Sequence, residues 1–346
     1  MKRCSRCILP ESYPDINFDE QGVCQVCRKY DEKWKGYDFK AAEERLLEIF
    51  EINKKISKNK RYDCVVPLSG GRDSTYVLYL CVTKYNLRPL AVTFENWFQS
   101  DEARQSIQNA IKKLGVGYVT YRPRWELIQR LYSLCLQNTG EFCAPCNVGL
   151  NSTTWKVAMQ EGIHLAVFGI SPRTDEDSPE IITCSRQEIL IKVAKENNIP
   201  LEQLKDFLYK RPTTLLHRIK NKILGRGWPN VDLPAYIEWN IEEIKDTLKR
   251  ELDWQQGDRP DHTDCIMEPV KDYLRRLKWG FNHLTQKYSA LIRDGQMSRE
   301  EALKRIQTED TDEEPQILDE FLKRLNLNRD VLKDVKNKGG LKYLQE

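Results

Sequence analysis

Several features are scarce or missing in this chain of 346 residues. No apolar run approaches the roughly 20 residues a membrane-spanning helix needs. The opening stretch "MKRCSRCILP" has no long apolar core, so no secretory signal is expected and the expected location is the cytoplasm. A dominant charge is missing too. The 55 Lys and Arg stand against 52 Asp and Glu, for a net charge of +3, which argues against a dedicated nucleic-acid binder or a membrane-surface protein. There is no internal repeat and no low-complexity segment. The length therefore suggests two or three ordinary structural units, each able to bury a normal core. The phosphate loop G-x-x-x-x-G-K-S/T is absent, and so is a dinucleotide fingerprint.

Cysteine is plentiful, with 11 in the chain. In a cytoplasmic protein these are expected as thiols or metal ligands rather than disulfides. Cys4, Cys7, Cys24 and Cys27 form a C-x2-C-x16-C-x2-C pattern around the turn-prone "LPESYPDINFDEQG". Four thiolates so spaced suit a tetrahedral zinc ion, and so short a segment has little core in which to bury four unrelated thiols. The ion is expected to be structural, because a closed set of four sulfurs leaves no position for substrate. Residues 1–35 thus read as a zinc ribbon.

The next segment reads as alternating strands and helices. "RYDCVVPLSGG" is a short buried strand entering a Gly-rich turn, and "DSTYVLYLCVTKYN" is the helix after it. "RPLAVTFEN", "GYVTYRP" and "IHLAVFGIS" are further strands. Between them lie the helices "SDEARQSIQNAIKKLG", which Ser100 or Asp101 would cap, "RWELIQRLYSLCLQ" and "NVGLNSTTWKVAMQEG". This alternation predicts an α/β fold, a doubly wound, mostly parallel sheet over 36–200, with ligands beyond the carboxyl ends of the strands. From about residue 200 the rhythm gives way to a mainly helical region, 201–346. It contains the basic stretch "HRIKNKILGRGW", which would suit a sugar-nucleotide phosphate or RNA, although such a stripe is more often a solvated helix face. It also contains "EPVKDYLRRLKWGFNHLTQKYSALIRDG", one long helix or a pair, and a capping box from Ser298 to Glu301.

"PLSGGRDST" joins the first strand of the sheet to its helix, where backbone N–H groups favour an anion. Its Ser69, Gly70, Gly71, Asp73 and Ser74 resemble the SGGxDS PP-loop of the N-type ATP pyrophosphatases, whose fold is that of the adenine nucleotide alpha hydrolases. That family usually has Lys where this chain has Arg72; both are cationic. The resemblance implies that Ser69, Gly70, Gly71, Arg72, Asp73 and Ser74 bind the pyrophosphate of ATP and serve AMP transfer to a substrate oxygen. It implies Mg2+, with Asp73 a candidate ligand, and points to Thr93 and Phe94 as adenine contacts; ordinary core packing is the alternative for that pair. After the fourth strand, Ser171, Arg173, Thr174, Asp175 and Glu176 are placed on the binding face for substrate or metal recognition, or else in a solvated loop.

The opening Cys-rich stretch, the PP-loop and "VKDYLRRLKWGFNHLTQKYSALIRDGQMSREEALKRI" together resemble the N-acetyl sugar amidotransferases of surface-polysaccharide and flagellin-sugar pathways. What the resemblance implies is an enzyme that adenylates the oxygen of an acetamido group and lets ammonia displace AMP. No glutaminase segment is recognisable, so ammonia is expected from a separate class I glutaminase subunit with a cyclase-like partner. A third CxxC, Cys143 and Cys146 in "TGEFCAPCNVGL", does not belong to that picture. It is similar to the CxxC of the PP-loop tRNA thiolases, which with a third cysteine holds a 4Fe–4S cluster. Here that third ligand is Cys265, in "DHTDCIMEP", ahead of Cys184, with His262 and Asp264 beside it. A helix N-terminus is expected to lower the pKa of the two thiols. A metal or cluster site, a redox or nucleophilic pair and an inert loop closure all remain open. Cys64, Cys81 and Cys135 read as core.

Overall fold

The computed structural model describes residues 2–174, 182, 186–205, 207–209, 230–257 and 264–337. The chain opens with a cysteine-bearing module that runs into helix α1 (Gln25–Trp34). Helix α2 (Phe39–Ile56) follows, its first turn capped by the Asp38 carboxylate, which accepts from Ala41 N. The sheet then begins. Its strands are β1 (Cys64–Pro67), β2 (Pro89–Phe94), β3 (Gly117–Tyr121), β4 (Ala166–Phe168) and β5 (Asn230–Asp232). Their order is β3-β2-β1-β4-β5 and every pairing is parallel. The order reverses between β1 and β4, which creates a crevice at the carboxyl ends of these two strands.

The alternation of side chains along β1 divides the core. Cys64 and Val66 face α2, α3 (Arg72–Thr83), α4 (Asp101–Leu114) and the later helix α8 (Ile241–Leu252), in a cluster with Leu46, Leu78, Ile107 and Leu248. Val65 faces the other way, with Leu90 and Val92 of β2, and is covered by Trp155 and Ala158 of α6 (Ala144–Gln160). These β1 and β2 side chains are all but fully buried, and each contributes roughly 1.5–3 kcal/mol. The expected doubly wound parallel sheet is therefore the observed one. Ser100 caps α4, its hydroxyl accepting from Ala103 N at 3.1 Å.

A third cluster extends beyond the sheet. Helices α5 (Trp125–Thr139), α7 (Gln187–Glu196), α9 (Glu268–Trp279) and α12 (Leu318–Arg324) pack Leu131, Leu190, Leu274 and Phe321 together. The long helical stretch is a pair. Helix α9 stops at Gly280, with φ +76°, and Asn282 caps α10 (His283–Arg293) by accepting from Leu284 N and Thr285 N. Ser298 caps α11 (Arg299–Glu309), accepting from Glu301 N at 3.1 Å. The sequence pattern ends the α/β unit near residue 200, yet the sheet takes β5 from Asn230–Asp232. Three residues, two of them polar, leave no apolar signature of a buried strand. The basic stretch "HRIKNKILGRGW" lies outside the described residues.

The cysteine-bearing module docks on the C-terminal helices. Tyr13 stacks on Phe281 at 5.8 Å between ring centroids. Arg299 donates from Nε to Cys7 O at 3.1 Å and from Nη2 to Cys4 O at 3.2 Å.

The entry to β1 is anchored by Asp63, which is buried and accepts from Ser57 Oγ at 2.6 Å, Arg88 N at 2.9 Å and Arg88 Nη2 at 2.8 Å. Burial alone would raise its pKa, but the bonds from Arg88 and Ser57 overcome this and hold it below the ordinary carboxylate value. A depressed folded-state pKa gives stability that is complete above the unfolded value of about 3.9 and is lost as pH falls through the folded value. Asp63→Asn should therefore cost about 1.5–3 kcal/mol at pH 7. The gap between variant and parent should narrow below about pH 4; urea midpoints measured at both pH values check this.

Candidate active site

The loop between β1 and α3 is held by side chains from four directions. The carbonyl of Leu68 accepts from Thr93 Oγ1 at 2.6 Å, that of Ser69 from Gln99 Nε2 at 3.0 Å, that of Gly70 from Trp254 Nε1 at 2.9 Å, and that of Gly71 from Thr75 Oγ1 at 2.8 Å. Four successive peptide planes are thus fixed. The two serines close the loop from inside. Ser69 N donates to Ser74 Oγ at 3.2 Å, Ser74 Oγ donates to Gly71 O at 3.2 Å, and the two hydroxyls lie 3.1 Å apart. With the Ser74 proton on Gly71 O, Ser69 is the donor between the hydroxyls, and its own oxygen accepts from Gly71 N at 3.3 Å.

Gly70 is required here. Its φ is +87°, and a Cβ on it would lie 2.4 Å from Ala103 O, the backbone of α4's first turn. Gly71 caps α3, which points its N-terminus into the crevice. Arg72 and Asp73 pair side by side, Nε to Oδ1 at 3.0 Å and Nη2 to Oδ2 at 2.7 Å, and Trp239 Nε1 donates to the same Oδ1 at 3.1 Å. The cation of this loop is therefore already spent on the neighbouring carboxylate. A second carboxylate hangs over the loop: a Cβ on Gly71 would lie 3.4 Å from Asp264 Oδ2.

Thr93 and Phe94 end β2 beside the loop, but both side chains are in the core. Thr93 is tied to Leu68 O, and the Phe94 ring packs so closely on α6 that a Cβ on Gly149 would lie 2.3 Å from it. After β4, Gly169 passes close to the backbone of Asp73, which brings the next residues to the crevice. Ser171 is buried and accepts from Thr174 N at 3.1 Å and Thr174 Oγ1 at 2.8 Å. Arg173 is buried as well, with its guanidinium over the rings of Trp34 at the end of α1 and Phe39 at the start of α2. Asp175, Glu176, Cys184 and His262 lie outside the described residues.

Cys143, Cys146 and Cys265 converge. All three are half-buried against the cluster of α5, α9 and α12, around the fully buried Tyr132. Residues 264–266 run antiparallel to 98–100, with Ser100 N donating to Asp264 O at 3.1 Å and Ile266 N to Phe98 O at 2.8 Å. This pairing sets Asp264 at the PP-loop and Cys265 at the thiol pair. Asn96 Nδ2 donates to Cys146 Sγ at 3.4 Å. Cys143 is the N-cap of α6, as expected, but its pKa is not lowered. Burial, with Glu141 nearby, pushes Cys143 up, and burial pushes Cys146 up to about 11 despite the Asn96 bond. These are neutral thiols unless a metal takes their protons.

The N-terminal four are tighter. All four sulfurs lie within 4.8 Å of one another and are fully buried, with Cys4–Cys27 at 4.0 Å and Cys7–Cys24 at 3.8 Å. Bonds of about 2.3 Å to one tetrahedral ion imply sulfur separations of about 3.8 Å. The four residues fit a single metal ion. Hydrogen bonds from Cys24 and Cys27 bring Cys7 down to about 7 and hold Cys4 low as well. Among the described residues this is the one group of three or more His, Cys, Asp or Glu gathered so closely.

Gln99, Trp239 and Trp254 are the residues that sequence reasoning missed. The two indoles reach the loop across 166 and 184 residues of chain. Their only sequence signal is a tryptophan in polar surroundings, "IEWN" and "LDWQ", where an indole N–H needs an acceptor.

Gly70→Ala should weaken ATP binding at least tenfold, about 1.4 kcal/mol, because left-handed backbone costs Ala about 1–2 kcal/mol before any clash. Calorimetric titration with magnesium-ATP checks this, with far-UV circular dichroism showing the fold retained.

The chain resembles known proteins in two separate regions. Residues 46–139 match the NAD synthase family, and residues 240–344 match the C-terminal domain of WbpG-like LPS biosynthesis proteins. An uncharacterized protein of Methanocaldococcus jannaschii is 22% identical over 312 residues, 88% of this chain and 93% of that one. Among solved structures, the NMN synthetase of Francisella tularensis is 14% identical at a TM-score of 0.32, covering 65% of this chain and all of that one. The tRNA thiolase NcsA of Methanococcus maripaludis, with its 4Fe–4S cluster, is 13% identical at 0.36, covering 89% of each chain. The PP-loop at the carboxyl end of β1 and the two family matches place the chain in the PP-loop superfamily of ATP-using enzymes, with a WbpG-like C-terminal region.

Proposed function

We propose that this protein is an ATP-dependent, AMP-forming amidotransferase that converts the acetamido group of an N-acetyl sugar to an acetamidino group for surface glycans. The observation that carries this reading is the combination, in one chain, of the braced PP-loop with residues 240–344 of WbpG-like type. An amide oxygen is a poor leaving group. In the proposed reaction it attacks the α-phosphorus of ATP, the bond to the bridging oxygen breaks, and pyrophosphate leaves into the loop. Ammonia then adds to the activated carbon and loses a proton as AMP departs with the former amide oxygen.

In this scheme Gly70, Gly71 and the start of α3 bind pyrophosphate, and Ser69 and Ser74 keep the loop in shape. Arg72 orients Asp73 rather than reaching the phosphates. Magnesium, when bound, would neutralise charge on the leaving pyrophosphate; it usually takes one or two carboxylates and substrate oxygens. Asp264 is the better placed carboxylate, since Asp73 already accepts three hydrogen bonds. The N-terminal four cysteines would hold zinc as a structural ion. Ammonia would come from a class I glutaminase subunit with a cyclase-like partner.

A second reading is favoured by the convergence of Cys143, Cys146 and Cys265 beside Asp264 and the loop. There the three thiols hold an iron–sulfur cluster and sulfur replaces nitrogen as the transferred atom. No membrane contact is invoked; among the described residues no helix is long and apolar enough to cross a membrane.

Two measurements separate the readings. Pyrophosphate and AMP should appear only when ATP, magnesium, an ammonium salt and an acetamido sugar are all present, with a product in which nitrogen has replaced the amide oxygen by mass spectrometry. No turnover with any free or nucleotide-linked acetamido sugar would sink the first reading. Anaerobically purified protein should contain about one zinc and no iron per chain, and Cys143→Ala should keep most of the activity. Roughly four irons per chain, lost together with activity in that variant, would establish the second reading instead.

A further inference from the structure

A cavity of about 580 Å³ lies away from the PP-loop, where the cysteine-bearing module meets the loop after β4 and the end of α10. Four cations line it, Arg6, Lys35, Arg173 and Arg293, against two carboxylates, Asp31 and Asp294. Both carboxylates are already engaged. Asp31 pairs with Arg6. Asp294 accepts from Tyr30 Oη, from Arg173 Nη1 at 3.3 Å and from Gln296 Nε2 at 2.6 Å. Arg173 and Arg293 are each more than nine-tenths buried, yet Arg173 Nε and Arg293 Nη1 have no partner among the described residues. Arg173 Nη2 already donates to Ile237 O at 2.9 Å; a buried guanidinium with an unsatisfied N–H is nonetheless costly, and this cavity keeps two of them.

We propose that this cavity binds the phosphoryl group of a small phosphorylated molecule, with Arg173 and Arg293 as its buried anchors and Lys35 at the mouth. Guanidinium forks match carboxylate and phosphoryl oxygens alike. Charge selects phosphoryl, because about two positive charges remain once the two carboxylates have been matched. The walls ask for more than an inorganic ion. Trp34 and Phe39 line the cavity, and the Arg173 guanidinium lies 4.4 Å from the Phe39 ring centroid. The volume suits a drug-sized ligand with a ring against these aromatics. A nucleoside diphosphate and a sugar phosphate both have this chemistry. The site stands whichever atom the enzyme transfers.

The test is calorimetric titration of the full chain with UDP, with N-acetylglucosamine 1-phosphate and with inorganic phosphate. Wild type should bind one of the two organic probes at least tenfold more tightly than inorganic phosphate, and which one is preferred identifies the source of the phosphoryl group. Arg293→Gln should weaken that binding at least tenfold and Lys35→Glu several-fold, while Gly70→Ala leaves it unchanged. Because Arg293 has a buried atom without a partner, Arg293→Gln should melt no lower than wild type in the absence of ligand. Lys35 is exposed, so Lys35→Glu reports on binding even if the buried substitution perturbs folding. Loss of binding in Gly70→Ala alone would place the probes at the PP-loop and overturn the proposal. So would wild-type affinity in both charge variants, inorganic phosphate binding as tightly as either organic probe, or no binding at all.

Discussion

Four carbonyls in a row, from Leu68 to Gly71, accept hydrogen bonds from side chains of other elements, and the geometry of the nucleotide site depends on that row. A loop that takes up an anion through its N–H groups needs its peptide planes fixed beforehand; otherwise ordering them would subtract from binding. Each bond contributes about 0.5–1.5 kcal/mol. Together they offset part of the backbone entropy, about 1–2 kcal/mol per residue, of holding four residues rigid. The donors come from β2, the segment after β2, α3 and the segment after α8. The loop is therefore only as well formed as the sheet and its covering helices. That is why Trp254, far along the chain, belongs to the loop as much as its serines do.

The same dependence joins the two ends of the chain. Trp239 donates to Asp73 through its indole, and its carbonyl accepts from Gln296 Nε2 at 2.7 Å. Gln296 also holds Asp294, which in turn holds Arg173 and Tyr30. The cysteine-bearing module, the helical region and the loop after β4 thus share one polar seam with the PP-loop. Arg299 also fastens the module, donating to the carbonyls of Cys7 and Cys4. A metal ion in the four-cysteine site would order a segment with little core of its own, and that order would pass to the seam through Tyr30 on α1.

The parts that were legible in the sequence are those written locally. The strands β1, β2 and β4 announce themselves as short apolar runs, Ser100 and Ser298 as caps, and "SGGRDS" as a turn with the required glycines. Cys4, Cys7, Cys24 and Cys27 were legible from spacing alone. What was not legible is written at long range. β5 is three residues with one apolar side chain, and only the sheet edge makes it a strand. Helix α7 buries Ile189, Leu190, Val193 and Ala194 on one face, but polar loop sequence dominates the segment before it and hides its start. The fate of Arg72 depends on the rotamer that places its guanidinium on Asp73, and no spacing rule gives that. Thr93 and Phe94 end β2, and their side chains turn into the core.

The thiol pair shows why position in a helix is an incomplete guide to reactivity. A helix N-terminus favours a thiolate by about 0.3–1 kcal/mol, and by about 2 in a good partly buried geometry. Burial works against it. Cys146 moves from 9.0 to about 11 even with Asn96 donating to its sulfur, and each unit is worth about 1.4 kcal/mol. Desolvation therefore exceeds the helix contribution, and Cys143, with Glu141 close by, is shifted in the same direction. A free nucleophilic or redox thiol at neutral pH calls for the opposite shift. Half-buried neutral thiols gathered from two segments suit either quiet packing or a metal that displaces their protons. The convergence of Cys265 on the pair is what gives weight to the metal, because packing alone does not require a third sulfur from the far side of the chain.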